Sequence, residues 1–96
     1  MSTEQHAKKP FSRSDVVDYE LAKDRINSFA CYWSRQISKE EKQESPDRAR
    51  VKALEAYISA LNKEHHFMTM DDHELIAKSK YIYGPILKAL TSASDK

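Results

Sequence analysis

The sequence predicts an all-α fold, a three-helix up-down-up bundle that forms one domain over residues 14–92. One glycine and three prolines among the 96 residues leave few turn formers, which disfavours a sheet with several hairpins. Apolar residues recur at three- and four-residue steps in three segments, and short polar links separate those segments. An apolar fraction of 40% with 32% charged residues is typical of a soluble helical domain.

The first helix follows a polar stretch, residues 1–13, which contains Pro10 and shows no period, and which we expect to be a flexible arm. Ser14 is the predicted N-cap, and Asp15 places a negative charge in the first turn, where the helix dipole favours it. The helix is expected to run to about Ser38 or slightly beyond. Its apolar stripe contains Tyr19, Ala22, Ile26, Phe29, Ala30, Trp33 and Ile37.

The second helix follows a strong start signal, Ser45-Pro46-Asp47, in which a capping hydroxyl precedes a proline and an acid. It is expected to continue to about His66. The helix has two apolar stripes on opposite sides. The large stripe is Val51, Leu54, Ile58 and Leu61, and the alanine stripe is Ala49, Ala53, Ala56 and Ala60. Two stripes predict that the helix is covered on both sides, by neighbouring helices or by a second chain.

The third helix is predicted to start at Thr69, a cap that Asp71 and Asp72 follow in the opening turn. Gly84-Pro85 interrupts the pattern, but the apolar residues stay in phase across the interruption. We therefore predict one helix that is kinked near Gly84-Pro85. Residues 93–96 are expected to be a loose tail. The stripe contains Leu75, Ile76, Ser79, Ile82, Tyr83, Ile86, Leu87, Ala89 and Leu90.

The charge balance and the cysteine content limit the possible functions. Sixteen basic residues oppose fifteen acids, for a formal charge of +1, so only a local patch could bind nucleic acid or an acidic membrane. One cysteine excludes an intramolecular disulfide and is compatible with a reducing compartment. No apolar run approaches the roughly 18 residues of a spanning helix, and residues 1–13 lack the core of a signal peptide. A cytoplasmic protein without a membrane partner is expected.

No catalytic, metal or cofactor site is expected from the motifs. Adjacent His65 and His66 point about 100° apart on a helix, so both are poorly placed to bind one ion. Cys31 lies at the border of the first apolar stripe, where a lone cysteine is usually a small core residue. A single glycine excludes a P-loop, and no nucleophile elbow is present. The sequence therefore predicts a non-enzymatic protein.

An apolar line on the first helix predicts a docking surface for another protein. Val17, Leu21 and Tyr32 project from the side opposite the main stripe, with Arg25 between them. Tyrosine and arginine are favoured at interfaces. The alternative is that the third helix covers this line. The docking interpretation predicts a regulator, inhibitor or adaptor that binds a partner protein or a copy of itself.

Lysines and tyrosines support an alternative function, the binding of nucleic acid. The candidate contacts are Lys8 and Lys9 in the arm, with Lys78, Lys80 and Tyr81 on the third helix. Aromatic rings beside cations can stack bases and neutralise phosphates. Acids offset every basic run except Lys8, Lys9 and Arg13 of the arm, and phosphate binding needs concentrated positive charge. This alternative therefore ranks below protein binding.

Overall fold

The computed structural model describes residues 10–94, and all regular secondary structure in this range is helical. Helix α1 spans Arg13–Glu41 and helix α2 spans Arg48–Phe67. The C-terminal helix consists of three parts that follow one another without a break. They are α3 (His73–Lys78), a π segment (Ser79–Tyr83) and α4 (Gly84–Ser94). The structure thus confirms an all-α fold in which three helices pack together.

Helix α1 begins at a capping box two residues before the predicted cap. The Ser12 hydroxyl accepts a hydrogen bond from the Asp15 amide at 3.0 Å, and the Asp15 carboxylate accepts one from the Ser12 amide at 2.9 Å. Phe11 and Val16 occupy the two positions of a hydrophobic staple around this cap. The prediction of Ser14 as cap is wrong, because the reciprocal pair satisfies two free amides at once.

Helix α2 begins at Asp47, not at the predicted Ser45. The Asp47 carboxylate accepts a hydrogen bond from the Arg50 amide at 3.0 Å. Glu40 orders the preceding link by accepting from the Asp47 amide at 2.9 Å and from the Arg50 guanidinium at 3.3 Å. Because a charged carboxylate is the stronger acceptor at a helix N-terminus, the acid replaces the hydroxyl as the cap.

The core lies where α2 and the C-terminal helix pack against α1. The predicted stripe of α1 is confirmed, and so is the large stripe of α2, in which Val51 and Leu61 are buried. Tyr83 is the buried aromatic residue of the C-terminal helix. The main core cluster consists of Ala22, Ile26, Phe29, Ala30, Leu61, Met68 and Tyr83.

The alanine stripe of α2 is exposed along its whole length. The C-terminal helix packs mainly on α1 and meets α2 through a few side chains, Lys78 and Tyr83 against Glu64. It therefore does not extend over the alanines. The prediction that α2 is covered on both sides is wrong within residues 10–94.

The C-terminal helix contains a π segment immediately before Gly84 and Pro85. Pro85 has no amide hydrogen to donate to the carbonyl of Tyr81, four residues earlier. The Gly84 amide instead donates to the carbonyl of Ser79, five residues earlier. This wider turn changes the phase of the helix. Ile82 and Ile86 are consequently 49% and 42% exposed, so the predicted apolar stripe is buried only in part.

The ends of the C-terminal helix also differ from the prediction. Its N-cap is Asp72, and the Asp72 carboxylate accepts a hydrogen bond from the Thr69 amide at 2.9 Å. Thr69 therefore belongs to the turn before the helix and does not cap it. At the other end, helical structure reaches Ser94, so the loose tail predicted from residue 93 is wrong up to that position.

Candidate functional site

The predicted docking line on α1 is only partly exposed. Val17 and Leu21 are 47% and 43% exposed, whereas Tyr32 is 8% exposed. Arg25 is half-buried because its side chain lies against the C-terminal helix, where a Cβ added to Gly84 would be 3.2 Å from the Arg25 Cδ. Tyr32 packs its ring against Trp33 with centroids 4.9 Å apart. The prediction of Tyr32 as an exposed docking residue is therefore wrong.

The exposed part of α1 forms a surface that we call the α1 face, defined by Val17, Glu20, Leu21 and Asp24. Steps of three and four residues place these side chains on one stripe, and all four are exposed. No salt bridge among the described residues involves Glu20 or Asp24. The face thus combines two adjacent apolar side chains with two unpaired carboxylates, and core packing explains none of them.

A second exposed surface, the C-terminal face, is defined by Lys80, Tyr81 and Lys88, while Ile82 and Ile86 are exposed on another side of the same helix. All five are exposed, and Tyr81 is the most exposed of the apolar ones, at 68%. Residues 75–94 contain three lysines and no acid, so this face is locally basic although the chain is nearly neutral. Sequence periodicity predicted Lys80 and Tyr81 as surface residues but missed the exposure of Ile82 and Ile86, because it assigned both isoleucines to the buried arc.

The predicted nucleic-acid contacts have different surroundings. Lys78 is engaged within the bundle, with its Nζ 3.2 Å from the Glu64 Oε2. Hydrogen bonding to Tyr83, and secondarily to Glu64, raises the pKa of Lys78. Lys80 stays exposed, with its Nζ 5.4 Å from the centroid of the Tyr81 ring. Lys78 is itself exposed but is already paired with Glu64, whereas Lys80 has no salt-bridge partner among the described residues.

Lys8 and Lys9, the two predicted contacts in the arm, lie outside the described residues. The prediction that they bind nucleic acid is therefore based on their sequence alone. Their positive charges count toward the chain's formal charge of +1, but no position on the bundle is assigned to them.

Glu64 joins α2 to the π segment. The Tyr83 hydroxyl donates a hydrogen bond to the Glu64 Oε1 at 2.7 Å, and Lys78 binds the other carboxylate oxygen. Burial is the main cause that raises the pKa of Tyr83. These three side chains hold two helices together, which is a structural role. The residues are far apart in sequence, and no motif indicated the contact.

Neither a metal centre nor an enclosed catalytic cleft is found within residues 10–94. No group of three or more His, Cys, Asp or Glu side chains there could hold a metal ion. A shallow groove of about 410 Å³ is lined entirely by α2, from Glu55 to Phe67. Cys31 is exposed, so its prediction as a small core residue is wrong. Convergent polar groups of the kind that catalysis uses are not brought together here.

Comparison with protein-family models, with curated proteins and with solved structures finds no match to this chain. Within residues 10–94, every helix falls short of the length or the apolar content that spanning a bilayer requires. The α1 face and the C-terminal face are two surfaces whose composition core packing does not explain, and Phe67 at the end of α2 is a further apolar side chain in water, 70% exposed.

Proposed function

We propose that this protein is a non-enzymatic interaction module that acts as a regulator, inhibitor or adaptor by docking its α1 face on a partner protein. The exposure of Val17 and Leu21 carries this proposal. On the opposite side of the same turns, Ala22 and Ile26 are completely buried, so α1 is apolar on both sides there. Covering an exposed aliphatic side chain is worth about 1.5–3 kcal/mol, which favours a bound state.

The charges beside the apolar pair support selective docking. Glu20 and Asp24 flank Val17 and Leu21, and neither carboxylate has a salt-bridge partner among residues 10–94. A polar rim around an apolar centre is the usual composition of a transient protein interface. The acids would orient a partner that presents basic residues and would repel an acidic one.

The proposal includes an up-down-up order of the helices and a bend of the C-terminal helix near Gly84-Pro85. Links 42–47 and 68–72 are short, and short links join antiparallel neighbours in helical bundles. The π segment beside Pro85 is a common place for a helix to bend. A cytoplasmic location is proposed as well, since the one cysteine is compatible with a reducing compartment.

Substitution of Leu21 by aspartate tests the docking function. Wild-type protein, Leu21→Asp and the control Ser28→Asp would each serve as bait in an extract of the source organism. We expect a partner to be retained by the wild type and by Ser28→Asp, and lost from Leu21→Asp. Circular dichroism should show equal helicity, because both residues are exposed. Loss of helicity in Leu21→Asp, or equal recovery of the partner by all three baits, would contradict the proposal.

Nucleic-acid binding is the second candidate, and the C-terminal face favours it. Lys80, Tyr81 and Lys88 are exposed in a stretch, 75–94, that contains no acid. Fluorescence anisotropy with a labelled single strand should then show affinity that falls steeply with salt. Neutralising Lys80 and Lys88 to glutamine should weaken the binding further. Absence of binding at low salt would dismiss this candidate.

A further inference from the structure

A groove lies between α2 and the C-terminal helix, which both pack on α1. At one end the two helices meet, because the Lys78 Nζ and the Tyr83 hydroxyl bind the Glu64 carboxylate at 3.2 Å and 2.7 Å. Two turns earlier in α2, the Tyr57 ring packs on the Phe29 ring of α1, which the Tyr83 ring also contacts. The bridge at Glu64 therefore closes the groove at one end, and α1 forms its floor.

Exposed isoleucines line the wall that the C-terminal helix contributes. Ile82 and Ile86 follow Lys78 at four-residue steps, so they continue the side of the helix that reaches α2. Gly84 packs on α1 and points about 160° away from Ile86. The two isoleucines are thus directed away from α1 and toward the open side of the groove. Ala89, also exposed, extends the row.

The opposite wall belongs to α2. Tyr57 lies two helical turns before Glu64 on the same stripe, and its ring is 40% exposed although it packs on the core. Ala53 and Ala60 are four and three residues from Tyr57, and both are exposed. Because alanine side chains are small, this wall is low and leaves room for a helix to approach. Apolar groups therefore border the groove on both sides.

Lysines lie on the outer flank of the α2 wall. Lys52 and Lys63 are exposed and within about 80° of Ala60 around the helix, whereas Glu55 is about 140° from Ala60. Neither lysine makes a salt bridge among residues 10–94. The nearest unpaired charges beyond the alanines are therefore positive.

The acids around the groove are absent, bound or outside it. Residues 75–94, which form the wall with the isoleucines, contain no acid. Glu64 is already bound by Lys78 and Tyr83. Glu74 lies one helical turn before Lys78, beyond the closed end. An acidic group above the groove therefore meets two free lysines on one flank and no free carboxylate between the walls.

We propose that this interhelical groove, defined by Tyr57, Ile82 and Ile86, binds an amphipathic helix of another protein that carries acidic residues beside its apolar stripe. A helix fits because both walls are helices, which offer no free backbone edge to an added strand. Its apolar side chains would cover the isoleucines and its acids would approach Lys52 and Lys63. The groove is separate from the α1 face, so the protein would bind two partners, as an adaptor does.

Other occupants match the groove less well. A nucleic acid would approach the lysines but would leave the isoleucines and the Tyr57 ring in water. A helix with basic flanks would bring like charges together. A second copy docked groove to groove would also place positive flanks opposite each other.

Fluorescence anisotropy with three labelled peptides of about 18 residues tests the groove. The acidic peptide has leucines on one helical stripe and glutamates on the flanks, the basic peptide has lysines in place of the glutamates, and the third is a scrambled acidic peptide. We expect the full chain to bind the acidic peptide at least about tenfold more tightly than the other two. Equal affinity for the acidic and the basic peptide, or for the acidic and the scrambled peptide, would overturn the proposal.

Charge reversal beside the groove should change the preference. Lys52→Glu with Lys63→Glu is expected to bind the basic peptide more tightly than the acidic one. The matched control, Lys80→Glu with Lys88→Glu, has the same net charge but lies on the side of the C-terminal helix away from the isoleucines. It should retain the preference for the acidic peptide. If the control changes its preference as well, net charge is responsible and the proposal fails.

An apolar substitution separates the groove from the α1 face. Ile86→Asp should weaken binding of the acidic peptide at least about tenfold, whereas Ser28→Asp and Leu21→Asp, on exposed positions of α1, should bind it like the wild type. Equal binding by Ile86→Asp and Ser28→Asp would contradict the proposal. Should Ile86→Asp lose helicity, Ile86→Ala is expected to weaken binding about fivefold, and unchanged affinity in that variant would have the same negative meaning.

Sedimentation equilibrium and a labelled single strand cover the remaining occupants. A wild type that dimerises, with the dimer lost in Ile86→Asp, would assign the groove to a second copy and overturn the proposal. Binding of the single strand that Lys52→Glu with Lys63→Glu abolishes, without binding of the acidic peptide, would assign the flank of α2 to nucleic acid and overturn it as well.

Discussion

Helix α2 and the C-terminal helix pack on the same helix, α1, but they expose different apolar groups. Helix α2 has no proline after its cap and keeps its alanine stripe in water. The C-terminal helix buries Ser79 and Tyr83 and leaves Ile82 and Ile86 exposed. In α2, the large stripe of Val51, Leu54, Ile58 and Leu61 faces α1 and the alanines face water, while Phe67 at the end of the helix is 70% exposed. In the C-terminal helix, the π segment changes the directions of the side chains and so decides which apolar residues are buried and which are exposed.

The consequences for function differ accordingly. Alanine is a strong helix former with little area, so an exposed alanine stripe costs little and requires no partner. Exposed isoleucines leave much more apolar area in water, and their covering would stabilise a complex. The exposed isoleucines of the C-terminal helix are therefore of more functional interest than the alanine stripe of α2.

Loss of Phe29 should have the largest effect on stability, because α2 and the C-terminal helix both pack against its ring. The Phe29 ring is 5.9 Å from the Tyr57 ring of α2 and 5.2 Å from the Tyr83 ring of the π segment. We expect Phe29→Ala to lower the free energy of unfolding by about 3–5 kcal/mol in urea denaturation. A cost below about 1 kcal/mol would show that the two helices do not share this support.

Replacement of Pro85 should make the backbone of the C-terminal helix more regular, like that of α2. Pro85→Ala restores an amide that can bond to the Tyr81 carbonyl, so we expect the π segment to shorten. Stability should rise by about 1–3 kcal/mol, the range of a proline in a helix interior. Amide hydrogen exchange at Ile82 and Ile86 should slow in the variant. Unchanged exchange rates would mean that Pro85 is not the cause of the π segment.

Removal of Glu64 should loosen the C-terminal helix from α2. The Tyr83 hydroxyl donates to Glu64 at 2.7 Å, so we expect Glu64→Ala to cost about 1–2 kcal/mol, and the exposed control Glu55→Ala to cost less.

The same contact predicts a loss of stability at high pH. The pKa values of Lys78 and Tyr83 are raised in the folded state, the first mainly by hydrogen bonding and the second by burial. The stability that they contribute is therefore complete below their ordinary pKa values and is lost as the pH rises above about 10. Denaturation between pH 8 and pH 11 should show this decline in the wild type. It should be weaker in Tyr83→Phe, which removes the titrating hydroxyl and the main hydrogen bond to Lys78, and an equal decline in both proteins would contradict the assignment.

Changes on the alanine stripe should have the smallest effect. Because Ala56 is exposed on a regular helix, Ala56→Lys should alter the unfolding free energy by no more than about 0.5 kcal/mol. A loss above about 1 kcal/mol would show that a second chain covers the alanines in solution.

Sequence patterns identified the long helices better than their ends or their surfaces. The seven stripe positions of α1 and the four large-stripe positions of α2 are buried or half-buried, as predicted. Large apolar side chains at helical spacing lie on one side of a helix, and that side packs against the core. The caps were displaced by two residues, since Ser12 and Asp47 compete with Ser14 and Ser45 as acceptors. Of the predicted docking line, Leu21 is exposed and Tyr32 is buried, a difference that helical spacing did not indicate.

Composition and periodicity by themselves determined that this chain is helical, where its three helices lie and which stripe of α1 forms the core. Helix-forming residues and apolar spacing act locally, and both can be read along the chain. Tertiary structure alone decided which remaining apolar side chains stay in water. That outcome depends on where the neighbouring helix lies and on the π segment that turns Ile82 and Ile86 outward, and neither is a local property.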